Sequence, residues 1–246
     1  MNLGDMILDA LKFPFSNIKR SAGLLLLLLG SILIIPAIMV AGYIFRIIKQ
    51  TTHGSNELPP FDEWGEMIED GFRYIAASVV YLIIPNILTL VLTRGMLLSV
   101  YSGGFQMSTY LLATIVGMLI ALPFDLVYVM ALGNMAHEGR FGAAFDFSKI
   151  FGLIGKIGWP RYVSYILIVT ILGVLVGMIS GLSKALQVSF GLEWGLIGII
   201  LAILIQIYLS IYRGRYTGLI YRNGSLLAND NPETEGDSKI DDMETA

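Results

Sequence analysis

The amino-acid sequence predicts an all-α, polytopic membrane protein, and three observations carry that prediction. Of 246 residues, 55% are apolar and only 14% charged, with a mean hydropathy of +0.72, whereas soluble domains carry about a quarter charged residues. The apolar residues gather into about five runs near the length of ~20 residues that a hydrocarbon core of ~30 Å requires. Lysine and arginine cluster in alternate connections between those runs, as orientation in a membrane demands.

The runs are expected at Leu24 to Ile48, Tyr74 to Val100, Thr109 to Gly133, Val163 to Leu182 and Trp194 to Tyr212. The first follows Lys19 and Arg20 but is longer than a cleavable signal core and lacks a clear cleavage site, so it reads as retained. It contains Gly30-Ser31 and Pro36 and has basic residues at both ends. Two readings stay open for it: a single crossing with the N-terminus outside, or a re-entrant hairpin with both ends inside. Pro85 and Pro123 fall inside later runs, where a kink is tolerated because neighbouring helices re-satisfy the freed carbonyl.

Arg46, Lys49 and Arg73 lie between runs one and two; Arg140, Lys149, Lys156 and Arg161 between three and four; Arg213, Arg215, Arg222 and Lys239 after five. The two opposite connections hold only Arg94 and Lys184. This asymmetry predicts a multi-pass protein of the cell membrane with a cytoplasmic C-terminus. Residues 228–246, with seven acids against Lys239, read as a disordered acidic tail beyond a single helical membrane domain of residues 1–227.

An internal repeat is expected within that domain. Leu3 to Lys12 resembles Trp64 to Arg73, with identities at the Gly, Met, Ile and second Asp. A weaker echo sets Phe145-Asp146 against Phe61-Asp62 and His137 against His53. The implied units are residues 3–52, 64–136 and 148–222, each an interfacial amphipathic helix followed by a membrane hairpin. In the second unit Pro59-Pro60 should keep the chain extended, Asp62 should cap the next helix, and Phe61, Trp64, Met67, Ile68 and Phe72 should bury one face at the acyl boundary. The acidic opposite face reads as part of a structural belt, with a docking surface for a basic partner as the alternative.

The same stretch carries a resemblance. Gly42-Tyr43-Ile-Phe-Arg46, Gly54, Leu58-Pro-Pro-Phe-Asp-Glu-Trp-Gly65 and Asp70-Gly71 resemble the hallmark region of the domain-of-unknown-function 4013 family, over about residues 3 to 225. The resemblance implies a polytopic α-helical fold in a prokaryotic membrane and brings no activity, substrate or catalytic residue with it.

Candidate site residues are few. Asp125 is the one acid deep within an apolar run, where an ionised carboxylate costs at least ~2.5–3.5 kcal/mol. Depth counting sets Gln206 and Asn86 near its level as a polar cluster and puts Arg94 on the opposite half of the bilayer. Asp125 is then either a proton- or cation-responsive group in a permeation path or an interhelical hydrogen-bonding group. Gly173, Gly177 and Gly181 form a doubled small-xxx-small stripe for helix packing, within the chain or against a second copy. His53 and His137 read as interfacial helix ends, and Arg213, Arg215, Tyr216, Tyr221 and Arg222 as an interfacial anchor.

No cysteine is present, Gly152, Gly155 and Gly158 make no phosphate loop, and no nucleophile, carboxylate-pair or metal motif appears. No catalytic site, cofactor, metal or nucleic-acid partner is expected. The expected partners are the lipid bilayer and a protein partner or second copy docked through run four. The leading expectation is therefore a non-catalytic membrane scaffold or accessory subunit, and the alternative is a small transporter or channel built around Asp125.

Overall fold

The computed structural model describes residues 2–101, 107–168, 170–171 and 192–229, and these are mostly helical with no strand among them. Helices α1 (Leu3–Lys12), α2 (Ile18–Leu29) and α3 (Ile34–Thr52) come first. The long α4 (Trp64–Tyr101) and α5 (Met107–Glu138) follow. Helix α6 (Phe147–Ile157), α7 (159–168 and 170–171) and the long α8 (Leu192–Asn229) complete the order. The glycine stripe at Gly173, Gly177 and Gly181 and the acidic tail from 230 onward lie outside the described residues.

Three helical stretches among the described residues, Ile34–Thr52, Trp64–Arg94 and Leu111–Glu138, are long and apolar enough to cross a membrane. They differ in burial: 56% of the apolar window is buried in α3, against 17% in each of α4 and α5. Helix α3 is thus the central post, touching α2, α4, α5 and α8. Leucine, isoleucine and valine on the outer faces of α4 and α5, such as Val79, Ile83, Ile87, Leu90 and Leu119, are exposed. A water-exposed belt of that extent would be unfavourable, whereas lipid accepts it.

The first apolar run is interrupted. Helix α2 ends at Gly30, the Ser31 hydroxyl donates to the Leu28 carbonyl, and Leu33 is extended (φ −87°, ψ 143°). Pro36 falls in the first turn of α3, where its missing N–H has no partner to lose. The two helices fold back together. Arg20, at the start of α2, donates to the Leu58 carbonyl and lies 3.7 Å from Glu57, both just past α3. Both feet of the hairpin therefore stand at one end of the molecule.

Helices α4 and α5 pair antiparallel, with Ser78 opposite Tyr128 and Thr89 against Gly117. Both run unbroken through Pro85 and Pro123. The stretch 64–73 is the first part of α4 rather than a separate helix in the interface plane, so the expected interfacial element takes a different form. Met67 is fully buried, Ile68 is half-buried, and Trp64 and Phe72 are exposed.

The same end of the molecule collects α1, the connection 53–63, residues 139–146, α6 and the second half of α8. Helix α1 is capped by the Asn2 side chain, which accepts from Asp5 N at 2.8 Å, and it buries Met6 and Ala10. Helix α6 is capped by Asp146, which accepts from Lys149 N at 3.1 Å, and it buries Ile150, Leu153, Ile154 and Ile157. Both helices pack on α8 around Tyr162, Tyr212, Tyr216 and Ile220. Arg215, Tyr216 and Tyr221 are consequently buried to within 1% of full burial. They do not form the exposed interfacial anchor that the sequence suggested, because α8 continues far past residue 212 and two helices cover it.

Candidate functional site

Two polar regions stand out, one at the crowded end and one between the long helices. The first is built on close backbone contact. A Cβ on Gly42 would lie 1.8 Å from the Met67 carbonyl oxygen, and one on Gly71 would lie 2.1 Å from that of Ile38. Only glycine lets α3 and α4 cross so tightly. That crossing lays the connection 53–63 along the foot of α3.

Residues 53–63 contain Pro59-Pro60 and form no regular structure over most of their length, so their carbonyls need partners from elsewhere. Side chains supply them. Tyr43 donates to the Pro59 carbonyl at 2.9 Å and stacks on Phe61 with ring centroids 4.3 Å apart. Arg46 donates to the carbonyls of Asp62 (2.8 Å) and Glu63 (3.0 Å) and lies 3.6 Å from the buried Asp70 carboxylate. Glu63 holds φ at +49°, a left-handed conformation rare outside glycine, and the Arg46 bond fastens it. Asp62 faces Arg46 at 3.7 Å.

Arg215 completes the clamp from α8. Its guanidinium donates to both Asp9 carboxylate oxygens (2.6 and 3.1 Å), to the Ser55 carbonyl and to the Asn56 side chain (2.8 Å), and it covers the Phe13 ring at 4.5 Å. One buried cation thus joins α1, the connection 53–63 and α8. Beside the clamp a cavity of about 500 Å³ opens among Lys49, Glu66, Asp70 and their neighbours. The connection 139–146 is held in the same manner: Asn134 donates to Ala143, Tyr81 donates to Ala144, and Tyr221 donates to Asn134.

His53 and His137, 84 positions apart, stack with ring centroids 4.9 Å apart, and His137 lies 5.2 Å from Tyr221. The sequence suggested equivalent positions and gave no sign that they meet. No group of three or more metal-ligating side chains exists among the described residues. Nearby, burial lowers the Lys149 pKa, but its bonds to Glu138 and Tyr221 reverse this, so the ammonium stands above the ordinary lysine value.

The second region is a cavity of about 520 Å³ between α3, α4, α5, α7 and α8. Its polar lining comes from Asp125, Arg213, Tyr74, Tyr128, Thr170 and Thr217, and aliphatic residues such as Ile44, Leu82 and Met118 supply the rest. The cluster expected around Asp125 is not assembled. Asn86 is exposed on α4 and bonds back to the Leu82 carbonyl, and Gln206 is exposed on α8. Neither lines the cavity. Arg213 does, one residue past the point where the sequence placed the end of the last run. The missed signal was its spacing of seven from Gln206, which sets both on one face of α8, two turns apart.

The comparisons with known proteins give a family and no activity. An uncharacterised protein of Methanocaldococcus jannaschii is 25% identical over 158 residues, covering 59% of this chain and 48% of that protein. The chain therefore spans about half the length of that curated relative. No solved structure matches. The profile described as "Protein of unknown function (DUF4013)" matches residues 25–184, a narrower stretch than the expected 3 to 225. That stretch contains the Gly42, Tyr43 and Arg46 clamp, the connection it holds, and Asp125; on this match, which covers well over half of its length, the chain belongs to the DUF4013 family.

Proposed function

We propose that this chain is a non-catalytic integral membrane protein that admits a small polar solute to the cavity around Asp125, acting as a small transporter or channel. The observation that carries the reading is the lining. A carboxylate and a guanidinium face a common space among apolar helices, where each charge is costly unless water or a ligand meets it. At about 520 Å³ the space lies within the usual range for small-molecule sites. Lipid is the partner of the exposed faces of α4 and α5. The gathering of Lys and Arg at the clamped end supports placing that end, and with it the C-terminus, in the cytoplasm, with α2 and α3 as a re-entrant hairpin. The repeat-unit reading has the short helix α1 ahead of the α2–α3 hairpin in its favour, while the second unit opens directly into α4.

The scaffold or accessory-subunit reading is favoured by a different observation, the consumption of Arg46, Asp70, Arg215 and Asp9 in mutual contacts. One experiment separates the two. The chain has no native cysteine, so single cysteines at Thr217 and Leu122 in the cavity, and at Leu119 on the lipid-facing side, can be challenged with a membrane-impermeant thiol reagent. A transporter or channel predicts labelling of the two cavity positions and none at Leu119. Silence at both cavity positions overturns the reading and leaves the scaffold.

A further inference from the structure

We infer that the solute taken by the Asp125 cavity is a small zwitterion with an apolar body, its cationic group at Asp125 and its anionic group at Arg213; the inference rests on the solute-binding reading above. Asp125 projects from the middle of α5 and Arg213 from α8, and both line the same space. Neither makes a hydrogen bond or ion pair with any described residue, and they are not within ion-pairing distance of each other. Asp125 is half-buried and Arg213 is exposed where it opens on the cavity, unlike Arg46 and Arg215, which are buried in the fold. Arg46 and Asp70 meet at 3.6 Å and Arg215 and Asp9 at 2.6 Å, so the fold pairs its charges where they serve packing.

Two opposite charges that line one cavity without pairing are complementary to a ligand that carries both. A ligand with a single charge would satisfy one wall and leave the other charge without a partner. The rest of the lining is aliphatic, with Ile44, Leu82, Met118 and Ile166 on the walls, so the body attached to the charged groups should be apolar. Tyr128, whose hydroxyl is already bonded to Ser78 at 2.6 Å, and Tyr74 add aromatic surface. Apolar α-amino acids are the simplest molecules of this description.

The test uses the full chain in lipid nanodiscs and equilibrium dialysis with three L-amino acids: leucine, methionine and phenylalanine. Each is compared with its N-acetyl derivative, which keeps only the negative charge, and its decarboxylated amine, which keeps only the positive one. The expected result is saturable binding of at least one amino acid, with both analogues at least tenfold weaker. Asp125→Asn and Arg213→Gln should each weaken that binding at least tenfold while leaving the unfolding midpoint unchanged. Analogues that bind as well as the parent, variants that retain full affinity, or no binding by any of the three amino acids would each overturn the inference. If the cavity cysteines at Thr217 and Leu122 are labelled in the same preparation, such a failure removes the zwitterion and keeps the solute cavity. If they are silent, both fall.

Discussion

Arg213 and Arg215 stand two residues apart on α8 and live in opposite worlds. Arg215 is 1% exposed and its guanidinium is met by Asp9, Ser55, Asn56 and the face of Phe13. Arg213 is exposed, opens into the central cavity and makes no hydrogen bond or ion pair with a described residue. Two residues along a helix turn the side chain by about 200°, so one arginine faces α1 and the connection 53–63 while the other faces α5. The contrast extends to the regions around them. At the clamped end, charges tie irregular chain to helices; in the cavity, two charges line a common space without pairing. The fold satisfies its buried cations at one end and leaves an exposed arginine and a half-buried carboxylate unpaired at the other, and the proposed solute site rests on that asymmetry.

The comparison can be broken from the clamp side first. Arg46→Ala removes the donors to Asp62 and Glu63 and leaves Asp70, 5% exposed, without its buried counter-charge. Asp70 keeps Arg73 at 3.8 Å, so the loss is that of charge-assisted bonds, about 1.5–3 kcal/mol each, and reversible unfolding in mixed micelles should register at least one such loss. Gly42→Ala comes next: its Cβ would meet the Met67 carbonyl at 1.8 Å, so α3 and α4 must separate, at a cost of about 2–3 kcal/mol typical of overpacking. The smallest effect belongs to the cavity. Asp125→Asn makes no change to any described bond, and its stability should stay within about 0.5 kcal/mol of the parent, while the accessibility of cysteine at Thr217 is retained.

How far the sequence reveals this molecule follows from the same contrast. The helical class, the extended Pro59-Pro60 segment and the unusual character of Gly42, Tyr43 and Arg46 are local or compositional, and they are readable. The reason for that motif was not. Gly42 answers to a carbonyl on another helix and Arg46 to a connection 16 residues away, and no periodicity encodes either. Depth was the other failure. The sequence set the feet of the spans at Tyr74, Gly133 and Tyr212, where hydrophobicity fades, but α4 begins at Trp64, α5 runs to Glu138 and α8 runs to Asn229. Counting from the wrong feet raised the level assigned to Asp125, so Asn86 and Gln206 were chosen where Tyr74 and Arg213 belong. Residues past 212 continue α8 because α1 and α6 pack over it, which hydropathy does not register.

The most direct test of the account is a paired unfolding measurement on Arg213→Ala and Arg215→Ala, made in the same micelles. The account predicts that Arg215→Ala loses about 1.5–3 kcal/mol through the charge-assisted bonds to Asp9 and the freed connection, whereas Arg213→Ala stays within about 0.5 kcal/mol of the parent. Equal losses in the two variants would contradict it, since Arg213 would then be a structural cation like its neighbour and the cavity would have no open charge to offer.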